Sequence, residues 1–386
     1  MRSVLLLLML ASSAPAADEA IARPIAALKS VDREGKNNES AGPAWKTLVE
    51  RGADALFPAL EAIDDANPTA SNWLRTAAGA IAEAEKKAKR AIPAGKLTAF
   101  IKDVKRAGSA RVLAFELLAD QDKPAADGLL ASFRDDPSSD LRRAALAADL
   151  DVIEKAAKGS VQPELEKLLT FARDKDQVEA IAKKLETDYK RTISLTEHFG
   201  FIAYWGIVGP FESEKGKALT LKHSPEEKVV LDEKLKGKGG ADVKWKSLFS
   251  RDKYAVMDFN KELGKHYDAA AYATAILEAK EATPIEIRLG SPNALQVFLN
   301  GTKLFEREEY HHGDNMDYHL GKGTLKPGPN VLVVKVCQNN QKDAWAQRWQ
   351  FQARICDATG APIPGVTQLV DEKKIKLGFV PPEDKK

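Results

Sequence analysis

The stretch Ala294-Leu-Gln-Val-Phe-Leu-Asn-Gly-Thr-Lys-Leu-Phe305 decides the fold of the second half of this chain. Two apolar runs flank Asn300-Gly301, a dipeptide that favours a type I′ turn because both central residues of that turn need φ > 0. We therefore predict a β-hairpin in which every second residue from Leu295 shares one face. The register across the turn is predicted to place Leu304 opposite Val297.

A polar segment, Glu306 to Asp317, follows this hairpin. Lys326-Pro-Gly-Pro-Asn330 then forms a second predicted turn before Val331 to Cys337. That last run has a high β propensity because valine dominates it. We predict that it forms a buried strand.

The order of hairpin, long loop, Lys-Pro-Gly turn and buried strand resembles the galactose-binding-like β-sandwich, in particular the sugar-binding-like domain of family 2 glycoside hydrolases. That family often reads Val-x-Leu-Asn-Gly-Lys, then Leu-Lys-x-Gly-x-Asn before a strand ending in Val-Lys-Val. The matching positions here are Val297, Leu299, Asn300, Gly301 and Lys303, with Thr302 inserted, and Leu325, Lys326, Gly328, Asn330, Lys335 and Val336. The resemblance implies an antiparallel sandwich of jelly-roll type, and it names no ligand because such sandwiches have many roles.

Other strands of this sandwich are predicted from β-branched and aromatic runs. They cover residues 201–208, 255–259, 271–279, 285–289, 318–320 and 349–356, and Gly209-Pro210 is predicted to end the first of them. The stretch from Trp205 to Phe211 resembles an entry strand that precedes this sandwich type in secreted bacterial proteins. Residues 215–240, rich in Lys and Gly, are predicted to be mostly exposed loop.

The first half of the chain is predicted to be helical from Asp18 to about Thr192, because apolar residues recur three and four positions apart. Leu129 to Ala145 resembles a HEAT repeat, in which one helix ends at Asp-x-Pro and the next begins with an arginine before small residues. Weaker copies cover 60–78 and 100–115. Their arginines, Arg75, Arg111 and Arg142, are expected to bond to the adjacent inter-helix turn, with ligand contact as the alternative.

The chain is therefore predicted to be a multidomain α and β protein. Its expected segments are a signal peptide over 1–16, an α-helical HEAT-like domain over 17–193, a galactose-binding-like β-sandwich over 194–372 and a disordered tail over 373–386. The signal peptide is predicted from Arg2, the apolar run Val4 to Leu10 and Ala14-Pro15-Ala16. It indicates export to the periplasm or the extracellular space, and no other apolar run is long enough to predict a membrane span.

Composition excludes some classes of partner. The 58 Lys and Arg residues nearly balance the 56 Asp and Glu residues, which leaves a formal charge of +2. This balance provides no general field to attract nucleic acid or an anionic membrane. We expect neither as a partner.

The two cysteines, Cys337 and Cys356, are expected to stay unbridged. If their strands pair as a hairpin, the two residues lie roughly 20 Å apart at about 3.3 Å per residue. A disulfide needs Cα atoms within about 7 Å of each other.

The densest group of polar side chains is His311-His-Gly-Asp-Asn-Met-Asp-Tyr-His319. Its imidazoles and carboxylates could bind zinc, and its oxygens calcium. The segment lacks thiolates and a helical histidine pair, so no metal or cofactor is assigned. A carboxylate pair for glycoside hydrolysis could also be imagined from Glu308, Glu309, Asp314 and Asp317. Carboxylates are common on loops and the chain has none of the common catalytic motifs, so we predict that it is not an enzyme.

Aromatic residues on loops are the remaining candidates for binding. Trp349 is expected in the core, whereas Trp345 and Tyr310 are expected on two long loops, where they could stack on a sugar or pack on the helical domain. The tentative ligand-binding residues are Trp345, Tyr310, His311, His312, Asp314 and Asp317. These features favour a non-catalytic exported binding or adaptor protein whose sandwich contacts a glycan or a cell-envelope protein. The alternatives are accessory domains of a polysaccharide-degrading hydrolase, a cryptic hydrolase of this type, and a structural envelope component.

Overall fold

The structure, a computed structural model, describes residues 16–156, 161–213 and 219–369. The predicted signal peptide up to Pro15 and the predicted tail over 373–386 lie outside these residues. The chain divides into two compact units, one ending at Val178 and the other beginning at Glu179. Within the described part, no helix is both long enough and apolar enough to cross a membrane.

The first unit is built from helices, as predicted. They are α1 (Ala16–Lys29), α2 (Asn38–Glu50), α3 (Ala53–Glu61), α4 (Pro68–Lys87), α5 (Ala94–Lys102), α6 (Gly108–Gln121), α7 (Lys123–Leu130), α8 (Ser139–Lys155), α9 (Gln162–Phe171) and α10 (Lys175–Tyr189), the last of which continues into the second unit. Short 3-10 turns lie at Arg33–Gly35 and Ala131–Phe133.

Local chemistry sets where these helices begin. Asn67 caps α4, since its side-chain oxygen accepts a 3.0 Å hydrogen bond from the Ala70 N–H, and Pro68 fits the first turn because it has no N–H to satisfy. Asp122 caps α7 in the same way through the Ala125 N–H. Helix α6 packs on both α4 and α8.

Two of the three arginines bond to inter-helix turns, as predicted. The buried Arg111 donates two hydrogen bonds of 2.8 and 2.7 Å to the Asp136 carboxylate and one of 2.7 Å to the Ile101 carbonyl. Arg142 donates to the Asp136 carbonyl at 2.6 Å. For Arg75 the prediction is not confirmed, because its Nε has no hydrogen-bond partner in the part of the chain that is described. The HEAT-like interpretation stays a prediction.

The second unit is an antiparallel β-sandwich with three short helices, which confirms the predicted fold class. Its strands are β1 (Tyr204–Glu212), β2 (Lys234–Lys236), β3 (Asp242–Lys244), β4 (Lys246–Phe249), β5 (Met257–Asp258), β6 (Ala269–Ala279), β7 (Thr283–Gly290), β8 (Ala294–Leu299), β9 (Thr302–Arg307), β10 (His319–Leu325), β11 (Gly328–Gln338), β12 (Gln350–Cys356) and β13 (Thr367–Gln368). The helices are α11 (Leu195–Phe199), α12 (Ser224–Glu227) and α13 (Phe259–Leu263), and 3-10 turns lie at Lys238–Gly240 and Ala344–Ala346.

The strands form two main sheets. The larger has the order β4-β1-β6-β11-β8-β9, with β13 also on β6, and the smaller has the order β10-β7-β12-β5. Strands β2 and β3 form a separate ribbon. The main core lies between the two sheets and includes Trp349 and Phe351, which confirms that Trp349 is a core residue.

The predicted hairpin is present as β8 and β9, with φ of 51° at Asn300 and 80° at Gly301. Every second residue from Leu295 to Leu299 faces the main core, as predicted. The predicted register is wrong, because Phe305 rather than Leu304 lies opposite Val297. A bulge next to the turn shifts the pairing by one residue, and the sequence pattern does not reveal it.

In the described part of residues 215–240, the predicted loop is less exposed than expected. Leu219, Val229 and Leu235 are buried and pack with Trp245 on the outer face of the larger sheet. Lys335, on β11, is fully buried beneath this segment and bonds to the Glu226 carboxylate at 2.9 Å. A covering segment therefore buries the second face of the larger sheet, which explains why β11 reads as a nearly continuous apolar run.

Two strand predictions also need correction. Gly209-Pro210 does not end β1, because pairing with β6 resumes after a bulge at Phe211 and Glu212. The strand predicted over 255–259 shrinks to β5, because Phe259 begins α13, whose first turn is capped by the Asp258 side chain.

The cysteine prediction is confirmed, since Cys337 and Cys356 are both buried and neither is in a disulfide. The reason given for it is wrong. β11 and β12 do not form a hairpin but belong to different sheets.

Candidate functional site

Two long loops leave the same end of the sandwich. Cys337 pairs with Ala294 and Arg307 pairs with Leu295, so β11 and β9 both end where β8 begins. The loop over 308–318 follows β9, and the loop over 339–349 follows β11. The sheet register therefore brings together the two loops that carry Tyr310 and Trp345.

Buried amide side chains fix the second loop from beneath. Asn293 donates hydrogen bonds of 2.9 Å to the Gln338 side-chain oxygen and 3.0 Å to the Arg348 carbonyl. Gln338 donates to the Ala346 carbonyl at 3.0 Å. Because both amides are almost wholly buried, these bonds hold the turn that presents Trp345.

Trp345 is 62% exposed, although it lies on this well-anchored turn. Its ring meets the His311 ring edge to face, with centroids 5.3 Å apart. His311 bonds through its ring Nε2 to the Asn339 side-chain oxygen at 3.0 Å, and its backbone N–H donates to the Pro292 carbonyl at 2.7 Å. Contacts of His311 thus join the two loops into one surface, which we call the 345 surface and define by Trp345, His311, Asn339 and Tyr310.

Tyr310 contributes less exposed area than the sequence suggested. It is half buried, its ring centroid lies 6.0 Å from that of His311, and it packs against the outer apolar cluster of the larger sheet. Burial raises the pKa of its hydroxyl, so the group stays protonated. Tyr310 therefore contributes packing contacts to the 345 surface more than exposed area.

The two predicted aspartates are engaged in ion pairs within the sandwich. Asp317 accepts bonds of 2.7 and 2.5 Å from Arg354 and one of 3.0 Å from Arg288. Burial raises the Asp317 pKa, but its bonds to the two arginines outweigh this and hold the pKa below its usual value. Asp314 pairs with Arg348 at 2.7 Å. Both carboxylates therefore fix the shape of the loop.

The remaining predicted residue, His312, belongs to a separate aromatic group. Its ring stacks on Tyr318 at 4.5 Å and lies 5.3 Å from the ring of His319. Burial, with a smaller contribution from the neighbouring His312, lowers the His319 pKa to about 4. The structure thus separates the predicted residues into the 345 surface, the ion-paired aspartates and this histidine group.

Two residues at this end of the sandwich were not predicted from the sequence. Asn339 links the loops, and its only sequence signal is its place in a polar stretch after β11. Tyr267 lies just before β6 with the Lys342 ammonium 6.0 Å from its ring centroid. Its position before a long strand could have indicated that it reaches the same end.

The opposite end of the sandwich contains a cleft of about 840 Å³. It is lined by α11, the residues just before β1, the end of β4 and the segment before β13. None of the residues predicted from the sequence to bind a ligand lines it.

Comparison with known proteins agrees with the fold. Residues 243–342, about a quarter of the chain, match the family model described as the β-galactosidase second all-beta domain. No curated protein matches the chain.

Three solved structures resemble parts of the chain. A family 35 carbohydrate-binding module from an environmental isolate is 16% identical, with a TM-score of 0.19 over 26% of this chain and 71% of the module. A β-glucosidase from Kluyveromyces marxianus in complex with glucose is 14% identical, with a TM-score of 0.25 over 44% of this chain and 17% of the enzyme. A GH31 α-xylosidase from Xanthomonas citri is 12% identical, with a TM-score of 0.18 over 30% of this chain and 15% of the enzyme. The chain thus spans less than a fifth of either enzyme.

Proposed function

We propose that this protein is an exported, non-catalytic binding or adaptor protein whose β-sandwich binds a glycan at the 345 surface. The observation that carries the proposal is Trp345, a large aromatic side chain that is mostly exposed on a turn held by buried hydrogen bonds. An indole fixed in this way loses little side-chain entropy on binding, and its flat apolar face suits the C–H face of a sugar ring.

Polar groups around Trp345 would supply the hydrogen bonds that a sugar needs. Asn339, Gln341 and Lys342 lie on the same loop, and amide and ammonium groups can bond to sugar hydroxyls. The match to a β-galactosidase domain supports a sugar-related role for the sandwich.

One observation favours a non-catalytic role. Glycoside hydrolysis uses a pair of carboxyl groups beside the scissile bond. Asp314 and Asp317, two of the four carboxylates that the sequence offered for this purpose, are both held by arginines. An accessory role beside a polysaccharide-degrading hydrolase is the second candidate, and it is favoured by the same family match.

A glycan array with the full-length chain, followed by calorimetric titration of the best glycan, tests the proposal. Trp345→Ala is expected to cost roughly 2 kcal/mol of binding free energy, since it removes a central aromatic anchor. That loss corresponds to about 30-fold in affinity. Phe249→Ala is the matched control, because Phe249 is also 62% exposed but lies on β4 beside the cleft at the opposite end.

Three outcomes distinguish glycan binding, binding of a protein partner and catalysis. A selective loss in Trp345→Ala supports the glycan surface. Unchanged affinity in Trp345→Ala, or no binding anywhere on the array, refutes it and directs attention to a protein partner, which a pull-down with envelope proteins tests. Sugar release by the purified chain refutes the non-catalytic assignment.

Export is part of the proposal and rests on Arg2, the run from Val4 to Leu10 and Ala14-Pro15-Ala16. Mass analysis of exported protein is expected to show a mature start at Ala17 or Asp18. An intact Met1 in exported material would contradict it.

A further inference from the structure

Two histidines beside the 345 surface have buried ring nitrogens that lack partners. His319 is 3% exposed, and the His312 side chain is 15% exposed. The Nε2 atoms of both rings are inaccessible to solvent and make no hydrogen bond. Such atoms are uncommon, because a buried polar atom normally has a partner.

The hydrogen bonds of these rings leave Nε2 free to act as a ligand. His312 Nδ1 lies 2.7 Å from the Gly313 carbonyl, which can only accept, so Nδ1 carries the proton and Nε2 carries a lone pair. His319 interacts with the backbone of Ser291 and likewise leaves Nε2 unused. Metal-binding histidines usually show this pattern, with one ring nitrogen held by the protein and the other bound to the ion.

The separation of the two ring centroids matches that of two imidazoles bound to one ion. Their centroids lie 5.3 Å apart and the rings are nearly perpendicular. Two imidazoles that share a tetrahedral zinc ion have centroids roughly 5 Å apart, since each Zn–N bond is about 2.0–2.1 Å long. The stack on Tyr318 holds the His312 ring in its orientation.

Glu309 could supply a third ligand. Its carboxylate lies 3.9 Å from His312 Nε2, and its side chain is half exposed, so it can rotate. As they stand, no three histidine, cysteine or acidic side chains in the described ranges form a complete metal-binding group. The site would therefore consist of two imidazoles and the Glu309 carboxylate, which has to move closer to both Nε2 atoms to complete it.

We propose that His312 Nε2, His319 Nε2 and Glu309 bind a divalent transition-metal ion, with zinc as the best fit, and that this ion fixes the 308–318 loop. Nitrogen donors favour zinc, copper or nickel over calcium and magnesium, which prefer oxygen ligands. Water would fill the open position. This site does not depend on glycan binding at Trp345.

The test uses full-length protein stripped of metal with a chelator. Zinc chloride is titrated in the presence of a competing indicator, and the imidazole nitrogens are followed by ¹⁵N-detected NMR. We expect about one zinc ion per chain, shifts at Nε2 of His312 and His319, and a higher melting temperature with zinc.

Variants locate the site. His312→Phe keeps an aromatic ring on Tyr318, and His319→Asn keeps a polar group near Ser291. Each is expected to weaken zinc binding by at least about tenfold and to abolish the rise in melting temperature. His266→Gln is the control, since His266 is a single histidine whose Nε2 bonds to the Leu263 carbonyl.

Melting curves without zinc show whether each variant folds, and the NMR shifts in the unaltered chain locate the site even where a variant does not fold. Unshifted His312 and His319 resonances at saturating zinc, or equal zinc affinity in a folded His312→Phe variant, would overturn the proposal and leave a buried water shared by the two rings as the explanation.

Discussion

Asn300 is the residue whose replacement tests most directly how the sandwich is held together. It occupies the first central position of the β8–β9 turn with φ of 51°. Its side chain also crosses to β11, where its oxygen accepts the Val331 N–H at 2.9 Å and its nitrogen donates to the Asn330 side-chain oxygen at 2.8 Å. Asn330 is fully buried, and its side-chain nitrogen donates to the carbonyls of Lys326 and Gly328 in the turn before β11.

Two substitutions at this position separate the side-chain bonds from the backbone strain. Asn300→Gly keeps the positive φ but loses two hydrogen bonds, which costs roughly 2 kcal/mol at about 1 kcal/mol each. Asn300→Val loses the same bonds and adds the steric cost of a left-handed conformation, roughly 1–2 kcal/mol. We therefore expect losses of about 2 kcal/mol for glycine and 3–4 kcal/mol for valine.

Urea unfolding of the full-length chain measures these losses. With an m value of about 2 kcal/mol/M, the midpoint of the sandwich transition should fall by about 1 M for glycine and by about 1.5–2 M for valine. Hydrogen exchange followed by mass spectrometry assigns the loss to a region, because peptides from β8, β9 and β11 should lose protection while those from α4 and α6 keep it.

Two results would refute this reasoning. If Asn300→Gly is as stable as the unaltered chain, the bonds to Asn330 and Val331 contribute nothing to stability. If Asn300→Val is no less stable than Asn300→Gly, the turn does not need a positive φ at this position.

Two further predictions concern buried ion pairs. The pKa of Asp317 in the folded protein lies below its unfolded value of about 3.9. The stabilising contribution of Asp317 is therefore present above that value and is lost as the pH falls through the folded pKa. Asp317→Asn should lose less stability than the unaltered chain between pH 7 and pH 3 in acid unfolding, and an unchanged pH dependence would contradict this. Arg111→Ala should destabilise the helical unit by about 3–5 kcal/mol, because it leaves the Asp136 carboxylate buried without its partner. Thermal melts followed by circular dichroism check this against Lys123→Ala, whose pair is exposed and should contribute less than about 1 kcal/mol.

The histidines show how much of the candidate sites could be predicted from the local sequence. Sequence alone identified the cluster from His311 to His319 as chemically rich. It could not divide the cluster, because the partner of each ring is set by register: His311 meets Trp345 from another loop, whereas His312 meets the first residue of β10. The arginines that pair with Asp317 lie at positions 288 and 354, on two paired strands of the smaller sheet. The sequence alone does not predict that they meet at Asp317.

Sequence by itself determined the features that depend on short-range chemistry. The Asn300-Gly301 turn, the helices of the first unit, the alternation of β8 and the burial of Trp349 all follow from backbone preference and from apolar residues at fixed spacing. Only the tertiary structure decided which strands pair, so it alone placed Cys337 and Cys356 in different sheets, moved Phe305 opposite Val297 and buried the segment over the larger sheet. The physical reason is that strand pairing and covering segments depend on contacts between residues far apart in the chain, and no local pattern encodes the choice among such partners.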